Sequence, residues 1–151
     1  MWLRYSFYFS CSFKSSSFGG TGGNPFDELP ANCTGIVKNI FIRAALYVDA
    51  IQITYELPDG TELVGGYYGG GGGTQDIIKI DVANGERIIG VFGRSYTYLD
   101  QLGFITSKGR FLGPYGGSGG DPFTIEGCNI AGVFGRSFDW IDSIGFYCNA
   151  V

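Results

Sequence analysis

Gly132-Val-Phe-Gly-Arg-Ser-Phe-Asp-Trp-Ile-Asp-Ser-Ile-Gly-Phe146 repeats, almost residue for residue, a stretch that stands 42 positions earlier: Gly90-Val-Phe-Gly-Arg-Ser-Tyr-Thr-Tyr-Leu-Asp-Gln-Leu-Gly-Phe104. A weaker third copy is Asn39-Ile-Phe-Ile-Arg-Ala-Ala-Leu-Tyr-Val-Asp-Ala-Ile-Gln-Ile53. Each copy carries an aromatic, an aliphatic and an aspartate in a row. These are Tyr47-Val48-Asp49, Tyr98-Leu99-Asp100 and Trp140-Ile141-Asp142. Self-similarity of this kind is read before anything else, because it sets the architecture.

Working outward, glycine clusters repeat in step. They are Gly19-Gly20-Thr21-Gly22-Gly23, Gly69 through Gly73, and Gly116-Gly117-Ser118-Gly119-Gly120. Each follows an aromatic, namely Phe18, Tyr68 or Tyr115. Ile78-Lys79-Ile80-Asp81-Val82 and Ile51-Gln52-Ile53-Thr54-Tyr55 alternate apolar and polar residues, the mark of a half-buried strand. Asp59-Gly60, Asn84-Gly85 and Lys108-Gly109 mark turns. No stretch shows a helical period. The unit reads as strand, Gly loop, strand, strand, Asp loop, strand, three times over.

The N-terminus fits the same scheme. Leu3, Tyr5, Phe7, Phe9, Cys11 and Phe13 take the odd positions, with polar residues between them except at Tyr8. The third unit lacks its closing strand after Val151. The simplest closure places the N-terminal strand beside residues 143–151. Residues 1–9 then overhang as an extension, and an exposed apolar strand invites pairing with a second chain. We therefore expect a homodimer through residues 2–9, the alternative being an extension folded back on its own domain, residues 10–151.

Composition removes several functions. The chain has 151 residues and no histidine, which excludes the commonest general base and metal ligand and the Ser/His and Cys/His nucleophile pairs. The 27 glycines, roughly 18% against about 7% in ordinary proteins, favour tight turns between short strands. Net charge is −4 with no Lys/Arg run, so nucleic acid is not an expected partner. No apolar run is long enough to span a membrane. No metal and no cofactor is expected. Four cysteines and the sequon Asn32-Cys33-Thr34 point to a secreted protein, the sequon being frequent by chance too. The hairpin around residues 135–142 folds Cys128 back nearly opposite Cys148, close enough for a bridge. Cys11 and Cys33 are left to pair together, stay free or link protomers.

Three Gly clusters alternating with three aromatic–aliphatic–Asp loops resemble the jacalin-related lectins, in particular their mannose-type members. The segments Arg110–Gly120 and Gly135–Phe146 carry the closest likeness. The resemblance implies an all-β fold, the β-prism I of three four-stranded antiparallel sheets with pseudo-threefold symmetry. It implies a multivalent lectin binding mannose/glucose-type sugars on glycans, N-glycans included. It pairs Asp49 with Gly73, Asp100 with Gly120 and Asp142 with Gly23, across sequence-adjacent units. Further contacts come from the backbones of Tyr47 and Val48, Tyr98 and Leu99, and Trp140 and Ile141. Galactose-type relatives use a freed N-terminal glycine at the first Gly loop, which here follows some eighteen residues of intact chain.

The chemistry suits that role. A carboxylate accepts two hydroxyl protons at once, in the stronger, charge-assisted class of hydrogen bond. A residue without Cβ lets a ligand approach main chain closely, and an aromatic such as Trp140 covers an apolar sugar face. The family's loop is usually Gly-X-X-X-Asp, whereas Ala45, Tyr96 and Phe138 stand at that glycine here. Such residues close the pocket or give it an aromatic wall. The competing readings are plain. Each Asp could cap a turn, the glycines could serve turns alone, and Phe92, Phe134, Phe104 and Phe146 read as core. A β-prism interaction module that has lost sugar binding is the alternative function. A glycosidase using Asp139 and Asp142 is a distant third, since it needs two carboxylates at a set separation with one pKa raised; no enzyme activity is expected.

Overall fold

Alternating apolar residues set the first hairpin. Val37, Ile40 and Ile42 point inward from β4 (Ile36–Ala44), and Ile51, Ile53 and Tyr55 from β5 (Val48–Glu56). The computed structural model describes residues 11–151. The expected dimer strand over residues 2–9 lies outside that range.

Fourteen strands are described. The N-terminal ones are β1 (Phe13–Lys14), β2 (Phe18–Gly19) and β3 (Asn24–Glu28). After β4 and β5 come β6 (Glu62–Val64), β7 (Tyr68–Gly69) and β8 (Thr74–Lys79). Then follow β9 (Ile88–Ser95), β10 (Leu99–Thr106), β11 (Phe111–Gly116), β12 (Asp121–Glu126), β13 (Asn129–Ser137) and β14 (Ile141–Asn149). They form three antiparallel sheets. Sheet I runs β6/β7–β5–β4–β8, sheet II runs β11–β10–β9–β12 and sheet III runs β1/β2–β14–β13–β3. Each has four strand positions, and in sheets I and III the outer position is split in two. This is the β-prism that the family resemblance implied. The N-terminal segment closes the last sheet, with Phe13 opposite Cys148 and Phe18 opposite Ile144.

The three sheets bury one shared core. Ile40, Ile51, Leu102, Phe104, Ile130, Ile144 and Phe146 are among its fully buried side chains, and Phe104 meets Phe146 edge to face at 6.4 Å. Phe92 and Phe134 do not belong to it. Their neighbours Val91, Gly93, Val133 and Gly135 are buried, so alternation turns both rings outward. There they lie over Gly103 and Gly145, where an added Cβ would come within 2.2 Å of each ring.

The aromatic before each Gly loop stitches the seam between two sheets. Phe18 stacks on Phe123 at 4.2 Å and Tyr68 on Phe26 at 4.1 Å. At the third seam the equivalent of those partners is Asp76, and Tyr115 Oη donates to its carboxylate at 2.7 Å. Burial, with that bond, pushes the Tyr115 phenol up to about 12.

Two disulfides tie sheet III. Cys128 bridges Cys148, as the hairpin suggested, although the strand register itself sets Ile130 opposite Cys148. Cys11 bridges Cys33, which settles the pairing left open by sequence. Among the described residues no helix is long and apolar enough to cross a membrane.

One polar network is buried at the prism end where β8 passes to β9. Glu86 is 1% exposed and accepts from Asp81 N at 2.9 Å, Thr106 Oγ1 at 2.6 Å and the Arg110 guanidinium at 2.8 Å on each oxygen. The Arg110 bonds hold its carboxyl down at about 2, against an ordinary 4.5. A carboxyl depressed in the fold stabilises it above the unfolded pKa and stops doing so as pH falls through the folded one. Chemical denaturation of wild type should therefore lose stability between pH 4.5 and about 2. Glu86→Gln should flatten that part of the difference curve and, at neutral pH, cost about 2 kcal/mol.

Candidate carbohydrate site

Strand order alone brings each acidic loop under a glycine loop. In sheet I the β4–β5 hairpin ends in the Asp49 loop, while residues 69–73 cross from β7, beside β5, to β8, beside β4. The crossing chain must pass over the hairpin end. The same happens in sheet II over Asp100 and in sheet III over Asp142. The expected pairs, each across sequence-adjacent repeats, are all present. Both loops of a pair nevertheless belong to one sheet, because each sheet takes its central hairpin from one repeat and both outer strands from the next, the third sheet taking its outer strands from the first repeat.

The approach is close enough to require glycine. Gly23, Gly73 and Gly120 each sit at φ +71°. A Cβ there would lie 2.6 Å from Asp142 Oδ1, 2.5 Å from Asp49 Oδ2 and 2.7 Å from Asp100 Oδ1. On the other side it would strike the backbone of Ser137, Ala44 or Ser95 within 2.8 Å. The N–H groups of Gly20, Gly70 and Gly117 donate to the carbonyl oxygens of Asp142, Asp49 and Asp100 at 2.9, 2.9 and 2.8 Å. Val48, Leu99 and Ile141 have fully buried side chains, so only their main chain faces the notch.

The carboxylates are held in an unusual state. Asp100 and Asp142 are 8% and 5% exposed. Asp49 Oδ2 and Asp100 Oδ1 are buried without a hydrogen-bond partner, although such oxygens are normally paired. Burial raises the pKa of all three, while Arg43, Arg94 and Arg136 pull the respective values back. Asp139 pushes Asp142 a little further up.

Those arginines are the functional residues that sequence reasoning passed over. Arg43 Nε donates to Gly72 O at 2.8 Å and its Nη2 to Gly73 O at 2.9 Å. Arg94 does the same to Gly119 and Gly120 at 3.1 and 2.7 Å. Arg136 does so to Gly22 and Gly23 at 3.0 and 2.8 Å. A planar fork on two successive carbonyls fixes the last peptides of the glycine loop. The signal lay in the repeat: an arginine stands six residues before each aspartate.

The aromatic side chains divide into two groups. Tyr47, Tyr98 and Trp140 converge, with ring centroids 5.1, 5.2 and 6.1 Å apart, and form a hub between the three notches. Trp140 and Tyr98 also line the cleft on Asp142, an open space of about 350 Å³. Tyr96 and Phe138 instead keep 74% and 67% of their surface in solvent. With Ala45 they close their loops through N–H bonds to the carbonyls of Tyr98, Trp140 and Tyr47. None of the three has a positive φ, so the loop accepts side chains where the family usually has glycine.

Comparison with known proteins agrees with this geometry. The family described as Jacalin-like lectin domain matches residues 15–147. Zymogen granule membrane protein 16 of Rattus norvegicus is 36% identical over 110 residues, 72% of this chain and 61% of that protein. The chain thus spans about three-fifths of that relative's length. Griffithsin from Griffithsia sp. is 32% identical over 114 residues, 76% of this chain and 78% of its own. Among solved structures, a mannose-binding jacalin-related lectin from Ananas comosus superposes with TM-score 0.81 at 28% identity, covering 92% of this chain and 98% of that one.

The arginine fork yields a direct test. Arg94→Gln should lower the unfolding free energy by about 1 to 2 kcal/mol. Hydrogen exchange should accelerate at the Gly117–Gly120 amides while the Gly22–Gly23 segment keeps its wild-type rate.

Proposed function

The chain belongs to the jacalin-like lectin family, and from that premise we propose that its three notches each bind one mannose- or glucose-type hexose, making it a multivalent lectin for glycans, N-glycans among them. The observation that carries this reading is the threefold recurrence of a carboxylate pressed against two glycines, with a buried oxygen that lacks a hydrogen-bond partner at Asp49 and at Asp100. Vicinal hydroxyls of a hexose supply donors for these carboxylates. The glycines leave main chain open to the sugar, and Trp140 covers an apolar face of it at the third notch. The named mannose-binding relative supports the mannose/glucose class.

Tyr96 and Phe138 stand out in solvent instead of lying on the carboxylates, which favours sugar binding over an interaction module that has lost it. Binding proceeds without bond cleavage in this reading. Only the third loop sets a second acid, Asp139, near its aspartate, so the pair a glycosidase needs is not part of the repeat. Two disulfides suit an oxidising, secretory setting. A homodimer through residues 2–9 would double the number of sites.

Each site buries few sugar atoms, so single affinities should be millimolar and avidity should come from several sites on one branched glycan. Calorimetry with methyl α-mannoside should show up to three sites. Asp49→Asn, Asp100→Asn and Asp142→Asn should each remove one, and silence on every glycan of an array would overturn the proposal. The sugar uses the ionised carboxylate, so binding and protonation compete. Because the three pKa values are raised, affinity should begin to fall at a higher pH than the ordinary 3.8 of aspartate would give. Titration across pH 3 to 7 measures the midpoint.

A further inference from the structure

Each glycine loop touches two acidic loops, not one. Besides the aspartate of its own sheet, it lies against the middle residue of an Asp loop from another sheet. A Cβ on Gly117 would come within 2.5 Å of Leu46 O, and the Gly117 N–H donates to that oxygen at 3.1 Å. A Cβ on Gly20 would likewise come within 2.1 Å of Thr97 O, and one on Gly70 within 2.2 Å of Asp139 O. Side chains cross the seam as a result. Thr97 and Tyr98, from sheet II, line the cleft built in sheet III on Asp142, Gly22 and Gly23. Phe138, from that cleft's own loop, lines it too.

Threefold equivalence then assigns the other walls. The Asp100 notch has Tyr96 from its own loop and Leu46 from sheet I. The Asp49 notch has Ala45 and Asp139. The three notches are therefore unequal. Leu46 and Tyr96 are each 74% exposed, and the equivalence with the Asp142 cleft sets both beside the Asp100 notch. The Asp142 notch has Phe138, a threonine and the acid Asp139, while at the Asp49 notch the two equivalent wall positions hold an alanine and an acid. Singly exposed apolar residues are ordinary, but a pair bracketing a binding cleft is a ready apolar contact surface.

We infer that the Asp100 notch is the aglycone-selective site of this chain. It takes a hexose bearing an apolar aryl or alkyl substituent, which lies across Leu46 and Tyr96. Leu46 thus sets the specificity of the neighbouring sheet's site and not that of the Asp49 site whose loop it belongs to. The inference rests on the sugar-binding reading above and deepens it.

The test uses three proteins that each keep one aspartate, the other two replaced by asparagine. The measured quantity is the affinity for p-nitrophenyl α-mannoside divided by that for methyl α-mannoside. The protein keeping Asp100 should favour the aryl glycoside by about fivefold, the size of one good ring contact. The protein keeping Asp49 should show a ratio near one. Leu46→Ser should pull the ratio toward one where Asp100 is kept, and Leu46→Phe should hold or raise it. The Leu46 methyl resonances give an independent reading: the aryl glycoside should shift them where Asp100 is kept and not where Asp49 alone is kept. A Leu46→Ser effect confined to the Asp49-only protein overturns the inference, and so does a ratio of one at Asp100 with methyl mannoside still bound. A wild type that binds neither glycoside overturns the sugar-binding reading itself and this inference with it.

Discussion

A carboxylate pressed between two glycine peptides is the contact on which the rest of the molecule's notch end depends. It forms only if the crossing loop lacks side chains, if strand order carries that loop over the hairpin end, and if something stops the loop from lifting away. Glycine at φ +71° meets the first demand and the sheet topology the second. The arginine fork on the last two glycine carbonyls meets the third. Partial burial of a charged group is costly, and the raised pKa of each aspartate records that cost. The fold tolerates it three times in one small domain, as expected where a ligand later satisfies the charge.

The stabilising apparatus sits elsewhere. The shared apolar core, the stacked rings of Phe18 with Phe123 and Phe26 with Tyr68, and the two disulfides hold the sheets together. The Glu86–Arg110 network occupies the far end, where β9 begins. A rigid frame with its strain gathered in short loops leaves those loops free to differ. Leu46, Thr97 and Asp139 occupy equivalent positions yet share no chemistry, which is how one repeated frame can present three dissimilar walls.

Much of this was legible in the chain itself. Repeated spacing identified the three acidic loops and the three glycine loops, the family resemblance implied which meets which, and the odd-position pattern around Cys11 and Phe13 located the strand that closes the third sheet. What stayed hidden has physical reasons. Repeat boundaries in sequence do not coincide with sheets in space, so loops of neighbouring repeats meet within one sheet, which spacing alone does not disclose. Phe92 and Phe134 looked like core because they recur, whereas the alternation of Val91 and Gly93 around Phe92 turns it outward. The convergence of Tyr47, Tyr98 and Trp140 depends on the direction each loop tilts, which spacing does not encode. The arginines recur as faithfully as the aspartates, but a surface arginine has many ordinary uses, and only the carbonyls beside it disclose this one.

The most direct measurement is a crystal structure of the protein soaked with mannose. The account predicts a hexose in all three notches, with two hydroxyls on the carboxylate of Asp49, Asp100 or Asp142 and the ring seated on the adjoining glycine peptide. Sugar bound elsewhere on the prism, or three carboxylates left without a hydroxyl partner at saturating mannose, would contradict it.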